Sequence, residues 1–202
     1  MSSPKSRREL YSEATRAALV ETATRMFATD GFVHTSLDDI ATGTQVTRGA
    51  VYHHFANKQA LFRAVIELQE EDVVGRATAA ALEHTEPWSA AMAALDTFLD
   101  SCCDPVYARL CWVEAPIALG WANWMDLESV HMLGSIETFV AMLVDAGILP
   151  APTGQTAAQL MFHLLGGAGR IIAEASEESR AEARATVGLV VKGMVAGLRT
   201  DR

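Results

Sequence analysis

Apolar residues recur along this chain at helical spacing from one end to the other and never in the alternating rhythm of a half-buried strand. Leu19, Ala23, Met26 and Phe27 mark one face of a first helix over about 9–30. Gly31 ends that helix where a left-handed backbone is favoured, and Phe32 is placed to fold back on the last turn. Leu37, Ile40 and Ala41 give a shorter second face, opened by Ser36 as N-cap with Asp39 three residues on. The pattern stops at Gly43-Thr44-Gln45 and restarts at Thr47, a further N-cap, with Val51 and Phe55 as its apolar positions. Asn57 caps a long helix to about Glu83, with Leu61, Phe62, Val65, Ile66 and Leu68 in its early turns. The stretch Glu67 to Asp72 on that helix reads as acidic and exposed.

Beyond Pro87 the same period continues with different punctuation. Pro87 suits the first turn of a helix to about Cys103, and Asp104-Pro105 starts another that breaks near Pro116 and Gly120. Trp121 to Ala146 follows, closed by Gly147 with Ile148 behind it. Thr153 caps a helix to about Ala175, and Ser176-Glu177-Glu178 opens the last, with its acids at the positive end of the dipole. The expectation is an all-α fold of about nine helices. An N-terminal three-helix domain with a helix-turn-helix (1–56, with a basic arm at 1–8) precedes a C-terminal helical bundle domain (57–202).

Composition adds two things. Half the residues are hydrophobic, which points to a buried subunit interface as well as a core. No apolar run approaches the ~20 residues that span a bilayer, and the polar N-terminus lacks the apolar segment of a signal peptide, so a cytoplasmic protein is expected. The net charge of −9 is unevenly placed: residues 1–63 carry eight Lys or Arg against six acids, and the rest eight against nineteen. That asymmetry directs a polyanion to the N-terminal domain and repels it elsewhere.

The third helix shows why this matters. Between its apolar positions it exposes Arg48, Gly49, Tyr52, His53 and His54, a mixture of cation, aromatic hydroxyl and polar tips suited to phosphates and base edges in a DNA groove. In helix-turn-helix proteins the N-terminal part of the second helix of the motif meets the bases. The run Phe27-Ala28-Thr29-Asp30-Gly31-Phe32, Thr35-Ser36, Ile40-Ala41, Val46-Thr47, Gly49, Val51-Tyr52-His53-His54-Phe55 and Lys58 resembles the DNA-binding signature of the tetracycline-repressor-like (TetR) family of bacterial transcription regulators. The resemblance covers about 50 residues, roughly a quarter of the chain. One departure is Thr44-Gln45 where the family has a small Ala-Gly pair. A non-glycine residue at positive φ costs on the order of 1 kcal/mol.

Thr47, Arg48, Gly49, Tyr52 and His53 are therefore assigned to the groove, and Thr35, Ser36, His54 and Lys58 to the DNA backbone. The resemblance further implies a homodimer built through the last two helices and an effector site in the C-terminal domain. On the last helix Val187, Val190, Val191, Met194, Val195 and Leu198 form an apolar stripe. Gly193 and Gly197 lie four apart, and Gly166, Gly167 and Gly169 crowd the preceding helix. Gly166, Gly169, Val187, Val191, Gly193, Met194, Gly197 and Leu198 are the expected dimer contacts, although the same stripe also suits an intrachain core. Met92, Phe98, Trp112, Trp121, Trp124, Met125, Met132 and Phe139 concentrate in the middle helices and suit a small apolar ligand, with His163, Glu114, Asp126 and His131 as candidate polar contacts. Met and aromatic residues at helical spacing equally suit a solid core.

Enzyme readings find little support. Cys102, Cys103 or Cys111 with His131 or His163 has no local signature of a nucleophile and base, though a cysteine sensor of oxidants or soft metals stays open. His53 and His54 point about 100° apart on a helix, so a shared metal is disfavoured. Gly166-Gly167-Ala168-Gly169 lacks the strand and the GK[ST] of a phosphate loop. The expectation is no catalytic residue, no metal and no cofactor. The favoured function is a ligand-responsive regulator, a repressor that binds a palindromic double-stranded operator as a dimer and is released by a small apolar effector. The alternative is a helical ligand-binding or enzymatic protein whose N-terminal motif no longer binds DNA.

Overall fold

In the computed structural model, which describes residues 6–200, nine helical segments carry the chain and no strand is present among the described residues. They are α1 (Arg7–Asp30), α2 (Leu37–Thr44), α3 (Arg48–His54), α4 (Lys58–Leu82), α5 (Pro87–Ser101), α6 (105–119), α7 (Trp121–Asp145), α8 (Gly154–Glu174) and α9 (Arg180–Ala196). The expected basic arm is shorter than 1–8. Residues 1–5 lie outside the described part, and Arg7 and Arg8 are already helical, because Ser6 and Glu9 close a reciprocal capping box.

The first three helices wrap the start of α4. Leu19, Phe27, Ile40, Val51, Leu61 and Phe62 are all fully buried together. Gly31 has φ 84° and its N–H reaches Phe27 O, so the chain turns as expected. Phe32 folds back to 5.7 Å from the Phe27 ring, and both pack on Phe62 at 5.2 and 5.1 Å. Asn57 caps α4, accepting from Ala60 N–H at 2.8 Å.

Several expectations fail where tertiary contacts override local pattern. Pro116 does not break α6. A π-helical stretch, Ala108–Glu114, lies immediately before it, and the widened turn absorbs the hydrogen bond that proline cannot make. Gly120, at φ 78°, is the real break before α7. A second π-stretch, Ser129–Leu133, sits inside α7. Thr153 does not cap α8; its hydroxyl donates to Pro150 O at 2.6 Å and the helix opens through a 3-10 turn. Glu177 and Glu178 precede α9, which begins only at Arg180 after a turn joined by the Ser176 and Ser179 hydroxyls. Contrary to the sequence expectation, α7 is long and apolar enough by composition to cross a bilayer, yet it packs in the bundle against α4, α5, α6 and α8.

The acidic stretch on α4 holds the largest surprise. Glu70 is not exposed but wholly buried, accepting from the Tyr107 hydroxyl at 3.0 Å. At the far side α9 is tied to α5 by Arg184, which reaches Asp96 and Asp100, and by Lys192, which reaches Asp96 at 2.6 Å.

Candidate nucleic-acid interface and ligand cavity

The turn between α2 and α3 positions the recognition surface. Ser36 and Asp39 form a capping box at the start of α2, and the hydrogen bonds from Ser36 hold the Asp39 carboxyl below its usual pKa. Gln45 takes φ 60° and ψ 38°, the single non-glycine residue at positive φ among the described residues, so the chain keeps the turn despite the missing glycine. Thr47 caps α3 by accepting from Ala50 N–H at 3.2 Å. Ser36, Thr47, Arg48, Gly49, Tyr52 and His53 are all exposed. Arg48 is docked on its neighbours: it pairs with Asp38 at 3.1 Å, donates to the Tyr52 hydroxyl at 3.4 Å and lies over the Tyr52 ring.

Of the residues expected at the DNA backbone, Thr35 and Lys58 have their side chains engaged within the protein, and His54 is only partly exposed. Thr35 is only 2% exposed, and its hydroxyl donates to Gly31 O at 2.9 Å, so that side chain braces the α1–α2 turn. Lys58 spends its ammonium on the same turn, donating to Phe32 O at 2.7 Å, Thr35 O at 2.9 Å and Val33 O at 3.4 Å while lying over the Phe32 ring. His54 is half-buried, and burial, followed by His53 and Arg16, pushes its pKa down.

Two cavities lie in the C-terminal half. The smaller, about 100 Å³, is walled by apolar side chains of α4, α5, α7, α8 and α9, among them Met92, Phe98, Met132 and Phe139. The larger, about 310 Å³, is walled by Phe98, Trp112, Trp121, Trp124, Met125, Met132 and His163, with Glu128 and Arg170. Every proposed ligand residue thus lies on one of the two walls. Of the further polar candidates, Glu114, Asp126 and His131 line neither. The sequence reading missed Glu128, because a single acid on an apolar helix reads as solvated; only the fold buries it. Its Oε1 accepts from Trp124 Nε1 at 3.1 Å. Cys102 and Cys111 are fully buried, and burial foremost, with Glu70 next, pushes both thiols well up, away from reactive thiolate.

Comparison with known proteins agrees with this architecture. Residues 88–198 match the model described as the tetracyclin repressor-like C-terminal domain, and residues 19–65 match that of bacterial regulatory proteins of the tetR family. The chain belongs to the TetR family of transcriptional regulators. A TetR-family regulator from Pectobacterium atrosepticum superposes with a TM-score of 0.83 at 27% identity, covering 98% of this chain and 99% of that one. The Tn10 TetC protein of Escherichia coli is 27% identical over 69% of this chain and 70% of its own length. A probable acrEF/envCD operon repressor of E. coli K12 is 43% identical, over 35% of this chain and 33% of its own length.

Within this TetR-family frame the last two helices present a different outer face from the one expected. Val187 and Val191 point inward, 9% and 2% exposed, and belong to the protomer core. Gly169 is demanded by its own chain, since a Cβ there would meet Trp112 Cζ2. The outward face instead carries Leu160, Ile171, Leu189, Val190, Gly193, Met194, Gly197 and Leu198, all exposed, and around Gly166 and Gly193 a Cβ would meet open space. A second feature lay beyond sequence reasoning. The Glu114 carboxylate on α6 accepts from Phe32 N–H at 2.8 Å, and Gln59 Nε2 on α4 donates to Ala118 O at 3.1 Å. The first bond joins the DNA-binding domain, and the second the first turn of α4, to the helix that carries Trp112.

Proposed function

We propose that this TetR-family regulator is a repressor that binds a near-palindromic operator as a homodimer and is released by a small effector in the C-terminal cavities. The single observation that supports this best is the pairing of an exposed recognition surface with an internal cavity, joined by α6. Trp112 on the cavity wall is two residues from Glu114, whose carboxylate holds the α1–α2 turn. A ligand that prefers one placement of α6 therefore prefers one placement of the recognition helices, and only such differential affinity can release DNA. The probable operon repressor among the relatives of this chain favours repression over activation. The groove set is Thr47, Arg48, Gly49, Tyr52 and His53 with Ser36 on the backbone, and a cytoplasmic location follows from that partner.

Binding of the protein's own upstream DNA, followed by fluorescence anisotropy at fixed salt, tests this reading. Arg48→Ala should lose about 1–3 kcal/mol of discrimination at one operator position. Unchanged affinity in a folded Arg48→Ala/Tyr52→Ala double variant would remove the assignment. The proposed dimer uses the outward face of α8 and α9, so Met194→Glu should yield monomers by light scattering and weaken operator binding together, while Val191 acts through protomer stability.

A further inference from the structure

We propose that the cavity walled by Trp112, Trp121 and Trp124 takes an organic cation, its positive nitrogen held by the Glu128 carboxyl and the indole faces, with an apolar body among Met125, Met132 and Phe98. This rests on the ligand-responsive reading above and names the chemical class of the effector.

The fold buries two acids, Glu70 and Glu128, with no basic side chain paired to either among the described residues. Glu128 is 5% exposed and forms part of the cavity wall. Behind it stands Glu70, with no exposed surface, whose Oε1 accepts from Tyr107 and whose Oε2 has no donor from the rest of the protein. The two side chains are hydrogen-bonding neighbours, and the Cys111 thiol is a further neighbour of Glu70. Burial raises both, Glu70 to about 7. Two carboxyls buried side by side cannot both ionise freely, and a cation placed beside them would favour their charged form.

The rest of the wall suits what is missing. Arg170, the basic side chain on this wall, is engaged by Glu174 at 2.7 Å and is 56% exposed, so its charge is spent at the solvent edge. His163 is exposed beside Phe162. The three indoles line the cavity and meet edge to face, Trp112 with Trp124 at 5.8 Å and Trp121 with Trp124 at 4.9 Å. Aromatic faces attract a cation most strongly where water is excluded. Trp121 is 59% exposed and stands at the rim. A carboxylate ligand would instead meet the like charge of the acid pair. Because Glu70 belongs to α4, a cation that draws on the pair also acts on the helix whose first turns pack in the DNA-binding domain.

The test titrates the full-length protein with three probes of matched shape: 3-phenylpropyltrimethylammonium, the uncharged 2-methyl-5-phenylpentan-2-ol and 4-phenylbutanoate. Calorimetry and tryptophan fluorescence read the affinities, with and without operator DNA. The ammonium should bind at least about tenfold more tightly than the alcohol. Glu128→Gln should bring that ratio to within about twofold. Trp121→Leu, at an exposed position that the fold does not depend on, should weaken the ammonium by about threefold to tenfold and serves if Glu128→Gln fails to fold. Equal or tighter binding of the alcohol, tightest binding of the carboxylate, or no binding by any probe overturns the proposal. If the alcohol binds best and releases operator, the ligand-responsive reading stands and the cation class falls. If the ammonium binds with the expected preference and operator affinity does not change, the cation class stands and the regulatory reading falls.

Discussion

The recognition surface of α3 and the cavity beneath the tryptophans set opposite problems for polar groups. On α3, Arg48, Tyr52 and His53 stand in water, and each finds a partner within four residues or across one turn. Their orientation costs little, because water satisfies whatever the protein does not. At the cavity wall and behind it, Glu128 and Glu70, 58 residues apart in sequence, are buried with Trp124, Tyr107, Cys111 and each other as polar neighbours. The first arrangement stores no strain and is free to exchange partners. The second holds a desolvated acid pair whose cost a ligand or a proton can relieve. The proposed DNA surface and the proposed ligand site thus lie in regions of contrasting electrostatic character.

The largest effect that sharpens this contrast is at Glu70. Its ordinary pKa of 4.5 is raised to about 7 by burial. Between those values the folded protein binds more protons than the unfolded chain, so stability falls as pH rises through the window and stays low above it. Glu70→Gln should stabilise the protein at pH 8 by on the order of 3 kcal/mol, with the gain vanishing near pH 4.5. His54, whose pKa is lowered, opposes this trend below its ordinary 6.5 in both proteins, so it cancels in the difference of their thermal melts. A pH-independent difference would mean that the pair is not the buried acid described above.

A smaller effect is expected at Lys58. Lys58→Ala removes three hydrogen bonds to the α1–α2 turn and should destabilise the protein by about 2 kcal/mol in chemical denaturation. The salt dependence of operator binding should keep its slope, because a cation already spent on carbonyls releases no counterion. A slope lowered by about one would return Lys58 to the phosphate contacts. The smallest effect is at Gln45. Gln45→Gly should stabilise by less than about 1 kcal/mol, by relieving the φ of 60° without touching any contact. A loss of stability there would show that the Gln45 side chain contributes more than its backbone strain costs.

How much could be read in advance follows the same division. Ser36, Thr47 and Asn57 were legible as caps, Gly31 and Gly147 as helix ends, and the left-handed residue at the α2–α3 turn was located even without its glycine. Each depends on atoms within four or five residues, and a sequence states such distances directly. The exposed face of α3 was legible for the same reason. The bracing role of Lys58 was not legible because Phe32 O lies 26 residues away in sequence. That of Thr35, four residues from Gly31 O, was not legible because nothing local shows that its side chain is buried. The stripe on α9 was seen, but which side of it faces its own protomer was not, since a helix has no outside until its neighbours are placed.

What the sequence determined by itself was the helical period, the caps and turns that divide it, and the motif that marks a TetR-family regulator. The tertiary structure decided that Glu70 and Glu128 are buried together, that Pro116 is carried through α6, that Gly169 makes room for Trp112, and that Glu114 reaches the DNA-binding domain. The physical reason is range. Hydrogen bonds along a helix are set by neighbours in the chain, whereas desolvation and packing depend on which distant surfaces exclude water together.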